Sequence, residues 1–302
     1  MQRNQLIIII LTIFTVLFTS CNRDSTAQED LIHVFVSIEP QKFFIEKIGG
    51  KWVVAEVMVK PGQSPATYEP TPSQITKLGK SDQFFSIGVP FEKAFLEKIR
   101  KSLPNLIITD TSDGIKKREI SGHDHDADHE EYDESDLKVQ EQMDPHIWMS
   151  PLLVKKQASN MLRALISLKP EYRDYFTENY NKFASDLDAV HMDIKKSLEG
   201  LEGSTIFVYH PSFGYFTDLY GFEQIAIETG GKEPGPKELE NIINEVIEDE
   251  VKVIFVQPEF QSSSIKVITE ATGAAVISVN PLNYDYLDNL RYMADILGDS
   301  LQ

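Results

Sequence analysis

Pro170 to Glu199 is a run of thirty residues with no glycine and no proline after the first, and it restricts the fold more than any other stretch. Within it Tyr172, Tyr175, Phe176, Tyr180, Phe183, Leu187, Val190, Ile194 and Leu198 recur mostly at intervals of three and four. That period puts them on one face of a helix. Pro170 opens the helix, and Gly200 and Gly203 close it. At the rise of an α-helix it would span about 45 Å. His191 lies inside it and reads as packing or solvent-facing, not as a ligand.

Short β-branched and aromatic runs alternate with helical patterns on both sides of this rod. Strands are expected at Ile32–Ile38, Trp52–Val59, Gln83–Ile87 and Asn105–Thr111, with helices near Gln41–Ile48, Pro72–Leu78 and Phe91–Ser102 between them. A second set follows at Thr205–Tyr209, Gln224–Glu228, Lys252–Val256 and Ala275–Val279. Its helices are expected at Gly214–Tyr220, Lys237–Asp249, Ser263–Thr272 and Tyr284–Leu297. Such alternation implies parallel sheets with helices on both faces. The expected fold is therefore α/β: two lobes, each with a four-stranded parallel sheet, joined by one long rigid helix. The expected division is an N-terminal lobe over 31–169, the interlobe helix over 170–201 and a C-terminal lobe over 202–302.

Residues 1–20 read as a signal peptide, with Arg3 before an apolar run from Leu6 to Phe18 that is too short to span a membrane comfortably. Leu17-Phe18-Thr19-Ser20-Cys21 resembles a bacterial lipobox, so Cys21 is the expected lipidation site and 21–30 a polar tether. With no second cysteine, an internal disulfide is excluded. The formal net charge of −18 argues against nucleic acid as a partner, because phosphate backbones need basic surface. Half of that excess is local: nine acidic residues and no Lys or Arg lie between Glu119 and Asp136. They belong to a low-complexity insert, 113–142, expected to be disordered. His123, His125 and His129 within it allow two readings, a solvated acidic loop or a metal-collecting arm.

Two histidine segments carry the chemistry. Asp144-Pro145-His146-Ile147-Trp148-Met149-Ser150-Pro151 and Tyr209-His210-Pro211-Ser212-Phe213-Gly214-Tyr215-Phe216 each set an imidazole among aromatics where proline or glycine pins the backbone. Neutral imidazole is a favoured ligand of zinc and other late first-row metals. Either histidine alone reads as well as a core residue bonded to a carbonyl. Ser212 invites a nucleophile reading, but no base accompanies it, and a turn residue is the better account.

These segments, with Pro61-Gly62-Gln63-Ser64-Pro65-Ala66-Thr67-Tyr68-Glu69-Pro70-Thr71-Pro72-Ser73, Gln257-Pro258-Glu259-Phe260 and Asn280-Pro281-Leu282, occur in an order that resembles the zinc- and manganese-type solute-binding proteins of bacterial ABC importers. The resemblance covers essentially the whole chain after the leader. It implies a metal buried in the cleft between lobes, with a membrane permease and its ATPase as partners. It also implies four ligand positions, and here these hold Ala66, His146, His210 and Asn280. Alanine binds no metal, and a neutral amide is a poor substitute for carboxylate. Glu69, Glu228, Glu259 and Asn280 are the candidates to complete the shell.

The expected function is a non-enzymatic, exported receptor, monomeric and held to the membrane by a lipid anchor. It would carry zinc, or manganese, as cargo between His146 and His210. The non-ligating ring nitrogens should donate to acceptors that fix the tautomers. The alternative is the same scaffold binding an organic solute or metal chelate in the space left by Ala66 and Asn280. A metal-dependent hydrolase and a surface adhesin are further rivals. All of this requires the imidazoles of 146 and 210 to face each other across the gap.

Overall fold

The computed structural model describes residues 31–120, 143–228, 233–260 and 262–301. Cys21, His123, His125 and His129, and the leader and tether, lie outside the described residues.

The first sheet comprises β1 (Ile32–Val36), β2 (Val53–Val57), β3 (Gln83–Ser86) and β4 (Ile107–Asp110), ordered β2-β1-β3-β4 and parallel throughout. α1 (Glu39–Gly49), α2 (Pro72–Leu78) and α3 (Pro90–Ser102) connect them. All four residues of β3 are buried, as expected of a strand covered on both faces. Thr71 caps α2 by accepting from the Gln74 amide, and Pro72 takes the first turn, where a missing N–H is harmless.

The second sheet repeats the order, β6-β5-β7-β8, with β5 (Thr205–Val208), β6 (Glu223–Ala226), β7 (Val253–Val256) and β8 (Ala275–Ser278). After α4 and α5, described next, the helices of this half are α6 (Gly214–Tyr220), α7 (Pro236–Glu248), α8 (Ser263–Thr272) and α9 (Tyr286–Leu301). In both sheets the chain changes direction between the first and third strands. The crevice beyond their carboxyl ends is where open α/β sheets bind ligands.

The rod between the sheets differs from expectation. Pro170–Tyr172 form a 3-10 turn, and the α-helix proper, α5, runs from Arg173 to Ser197. The preceding α4 (Pro151–Leu168) was not anticipated, although Ser150 caps it and Val154, Ala158, Met161 and Leu165 form a buried stripe at helical spacing. Lys169 breaks the helical conformation between them, so α5 is the second arm of a helical pair and not a free-standing spacer. Phe176, Phe183, Leu187, Val190 and Ile194 are the buried side of α5, which packs along α4, α9 and α1. One hydrophobic core thereby runs from the first sheet through these helices into the second half. A smaller core lies under α7 and α8.

The acidic insert is narrower than 113–142. Residues 113–120 are built into the fold, with Ile115 packed against the core, Glu119 bridged to Met143, and the Asp144 amide donating to the Arg118 carbonyl. Helix α9 also crosses the expected lobe boundary. Tyr286 is buried against Phe44 of α1, with ring centroids 4.8 Å apart, and its hydroxyl donates to the Trp148 carbonyl at 2.6 Å.

Candidate metal site

His146 and His210 meet. Their Nε2 atoms are 3.2 Å apart and their rings stand at 77° to one another. His210 follows β5 at the carboxyl edge of the second sheet, while His146 enters from the segment ahead of α4.

Each imidazole is held by its other nitrogen. His146 Nδ1 donates to Asp144 Oδ1 at 2.7 Å, and the same oxygen accepts from the His146 amide at 2.9 Å. Pro145 between them leaves the chain little freedom to do otherwise. His210 Nδ1 donates to Glu228 Oε1 in a short contact. Ionised carboxylates only accept, so both Nδ1 atoms carry the proton and both Nε2 lone pairs face the gap. The acceptors expected behind the two rings are thus Asp144 and Glu228. Two bare lone pairs at this separation repel, whereas two nitrogens on one tetrahedral zinc lie about 3.3 Å apart. The arrangement suits a cation between them.

The surroundings fix both rings further. His146 is 7% exposed and meets the Trp148 ring edge-on at 5.1 Å, and the Trp148 indole N–H donates to the Pro281 carbonyl at 3.0 Å. His210 stacks on Phe260 at 5.0 Å, and Gln257 both accepts from its amide and donates to its carbonyl. Burial, together with the neighbouring His146, pushes the His210 pKa below the usual imidazole range against the opposing pull of Glu228. The ring is therefore neutral and free to ligate at neutral pH.

The imidazoles open onto a cavity of about 630 Å³ that is lined on the first-sheet side by Ser64, Ala66, Ser86 and Glu92. Glu259 and Phe260 line it on the other. Burial holds Glu259 above the usual carboxylate range. Among the described residues no group of three or more His, Cys, Asp or Glu comes together as a ready-made metal site. Glu92, buried at the cavity wall, is pushed up to about 7, burial outweighing donation from Ser37 and the Ile87 and Gly88 amides.

Three of the candidate additional ligands do not reach the gap. Glu228 Oε1 is engaged by His210 Nδ1, the ring nitrogen away from the gap. Glu69 is exposed and outside the cavity wall. The Asn280 side chain accepts from the Leu282 amide at 3.0 Å and stabilises the turn, leaving Pro281 and Leu282 to line the cavity. Of the four candidates, Glu259 alone lines the cavity with both imidazoles. His191 makes a ring contact to the Tyr220 hydroxyl at 3.2 Å, the packing role expected of it. Asp144 escaped the sequence reading as a functional residue, although an aspartate two places before a histidine, with proline between, was the available signal.

Comparison with known proteins bears on the family and the fold. The sequence profile described as "Zinc-uptake complex component A periplasmic" matches residues 34–300. The high-affinity zinc uptake system protein ZnuA of Yersinia pestis is 27% identical over 266 residues, covering 82% of each chain. A crystal structure of ZnuA superposes with a TM-score of 0.81 at 32% identity, covering 90% of this chain and 100% of that one. A deletion mutant of ZnuA with zinc bound gives 0.80 at 33% identity, over 90% and 98%. With nearly the whole described chain matched, the protein belongs to the periplasmic zinc-uptake component A family of solute-binding proteins.

Proposed function

We propose that this protein captures zinc outside the cytoplasm between His146 and His210 and delivers it to the permease and ATPase of an ABC importer. The observation that carries the reading is the facing pair of Nε2 atoms, each ring held from behind by a carboxylate. Such outer acceptors raise ligand basicity and fix ring orientation. They also balance charge, since Asp144 and Glu228 together offset a dication through the two rings. An all-nitrogen pair favours zinc over manganese, which prefers oxygen.

Glu259 is proposed as the third ligand. It lines the cavity within electrostatic reach of His210, and binding an ion would relieve the burial that raises its pKa. Water completes the shell, in keeping with Ala66 and Asn280 where the resemblance implies ligands. Such a shell, open on one side, suits a carrier that has to release its ion, whereas closed four-ligand sites are structural. The family is one of transport receptors, so no covalent chemistry is assigned.

Export by a leader over 1–20, anchoring through a lipidated Cys21 on the tether 21–30, and collection of ions by His123, His125 and His129 complete the proposal. The protein acts as a monomer, divided into a lobe over 31–169, a rigid interlobe helix over 170–201 and a second lobe over 202–302. Isothermal titration of metal-stripped protein with zinc at pH 7 tests the central reading. One equivalent binding with loss of heat in His210→Ala is expected, and no heat in the unaltered protein would overturn it.

A further inference from the structure

Behind His146 lies a charged cluster to which both halves of the molecule contribute. The Asp144 carboxylate that accepts the His146 proton is fully buried, and its second oxygen is 3.8 Å from Nη1 of Arg118. Nε of the same guanidinium lies 3.1 Å from Asp218 Oδ2 on α6. The backbones are tied as well. The Arg118 amide donates to the Tyr215 hydroxyl at 3.1 Å, and that hydroxyl donates to the Asp144 carbonyl at 2.9 Å. Burial pushes the Tyr215 pKa up to about 12, so the hydroxyl keeps its proton at neutral pH. Glycine at 214 is what admits the guanidinium: a Cβ there would lie 1.6 Å from Arg118 Nη1 and 2.8 Å from Asp144 Oδ2.

We propose that Arg118 is a positioning residue for metal capture: clamped between Asp144 and α6, it holds the Asp144 carboxylate where it pins the His146 ring, so the half carrying His210 also sets the geometry of His146. This rests on reading His146 and His210 as the ligands. The sign of the effect separates positioning from simple electrostatics. A guanidinium near a cation site repels the ion, so charge alone predicts tighter zinc binding when Arg118 is neutralised. Positioning predicts weaker binding.

The test combines zinc titration with imidazole ¹⁵N NMR on the metal-free protein, comparing the unaltered chain, Arg118→Gln, Arg118→Lys and the milder Asp218→Asn. In Arg118→Gln the His146 nitrogen shifts should move toward mixed tautomers while those of His210 stay in place. Zinc affinity should fall about tenfold, the lower end for an outer-shell partner. Lysine should restore part of both effects, and Asp218→Asn should move them less in the same direction. Unchanged or tighter zinc binding in Arg118→Gln, or equal shifts at both histidines, would overturn the role. Failure of the unaltered protein to bind zinc would strike the capture reading instead. The NMR comparison needs no metal and would still decide the role of Arg118.

Discussion

His146 and His210 present the same atom to the same gap, yet they are held in opposite ways. His146 is oriented by Asp144, two residues away in its own segment. His210 is oriented by Glu228, eighteen residues on, by Gln257, forty-seven on, and by the Phe260 ring. One imidazole is held locally, the other by assembling three separate carboxyl edges and loops of the second sheet. A site of this kind leans on short-range geometry in one half and on completed tertiary structure in the other.

The largest effect should come from removing either ring. His146→Ala and His210→Ala should each weaken zinc binding by on the order of a thousandfold, about 4 kcal/mol, in competition titrations with a chromophoric chelator. A loss confined to one of the two would show that the pair does not share an ion.

The two halves should next differ in how pH acts on the metal-free fold. His210 has its pKa lowered by burial, so the unfolded chain binds a proton the folded chain refuses. Its contribution to stability is present above about pH 6.5 and lost as pH falls below it. Glu92 in the first half behaves oppositely. With a folded pKa raised from 4.5 to about 7, its contribution is present below pH 4.5 and lost as pH rises through 7. Urea denaturation of Glu92→Gln should therefore gain on the unaltered protein between pH 5 and 8, by up to about 3 kcal/mol. A pH-independent difference would remove this contrast.

The orienting carboxylates come third. Asp144→Asn and Glu228→Gln should weaken zinc by about ten- to a hundredfold. Asp144→Asn should be the more damaging, because Asp144 also accepts from the His146 amide and faces Arg118. Equal effects would mean that the local and the assembled modes of support are interchangeable. The smallest change expected is at the proposed third ligand. Glu259→Gln should weaken zinc about tenfold, roughly 1.4 kcal/mol, while Glu69→Gln, exposed and off the cavity, should leave the titration unchanged.

Much of this molecule was legible in residue order. Every expected strand is present within two residues of its anticipated ends, because buried parallel strands announce themselves as apolar runs such as Phe84-Phe85 and Ile254-Phe255-Val256. Helix α4 was not legible because Pro151, which takes its first turn, reads equally as a loop residue closing the histidine segment. The insert was drawn too wide, since charge density gave no hint that Arg118 and Glu119 are anchored.

What the sequence determined by itself is what depends on neighbours along the chain: the two sheets, the long amphipathic rod, and the placing of a carboxylate one proline ahead of His146. Only the tertiary structure decided which glutamate stands behind His210, that Glu259 and not Glu69 shares the cavity, and that Arg118 links the two halves. Those contacts join residues eighteen or more positions apart. Their distances follow from how both sheets, α5 and α9 pack together, which no local pattern encodes.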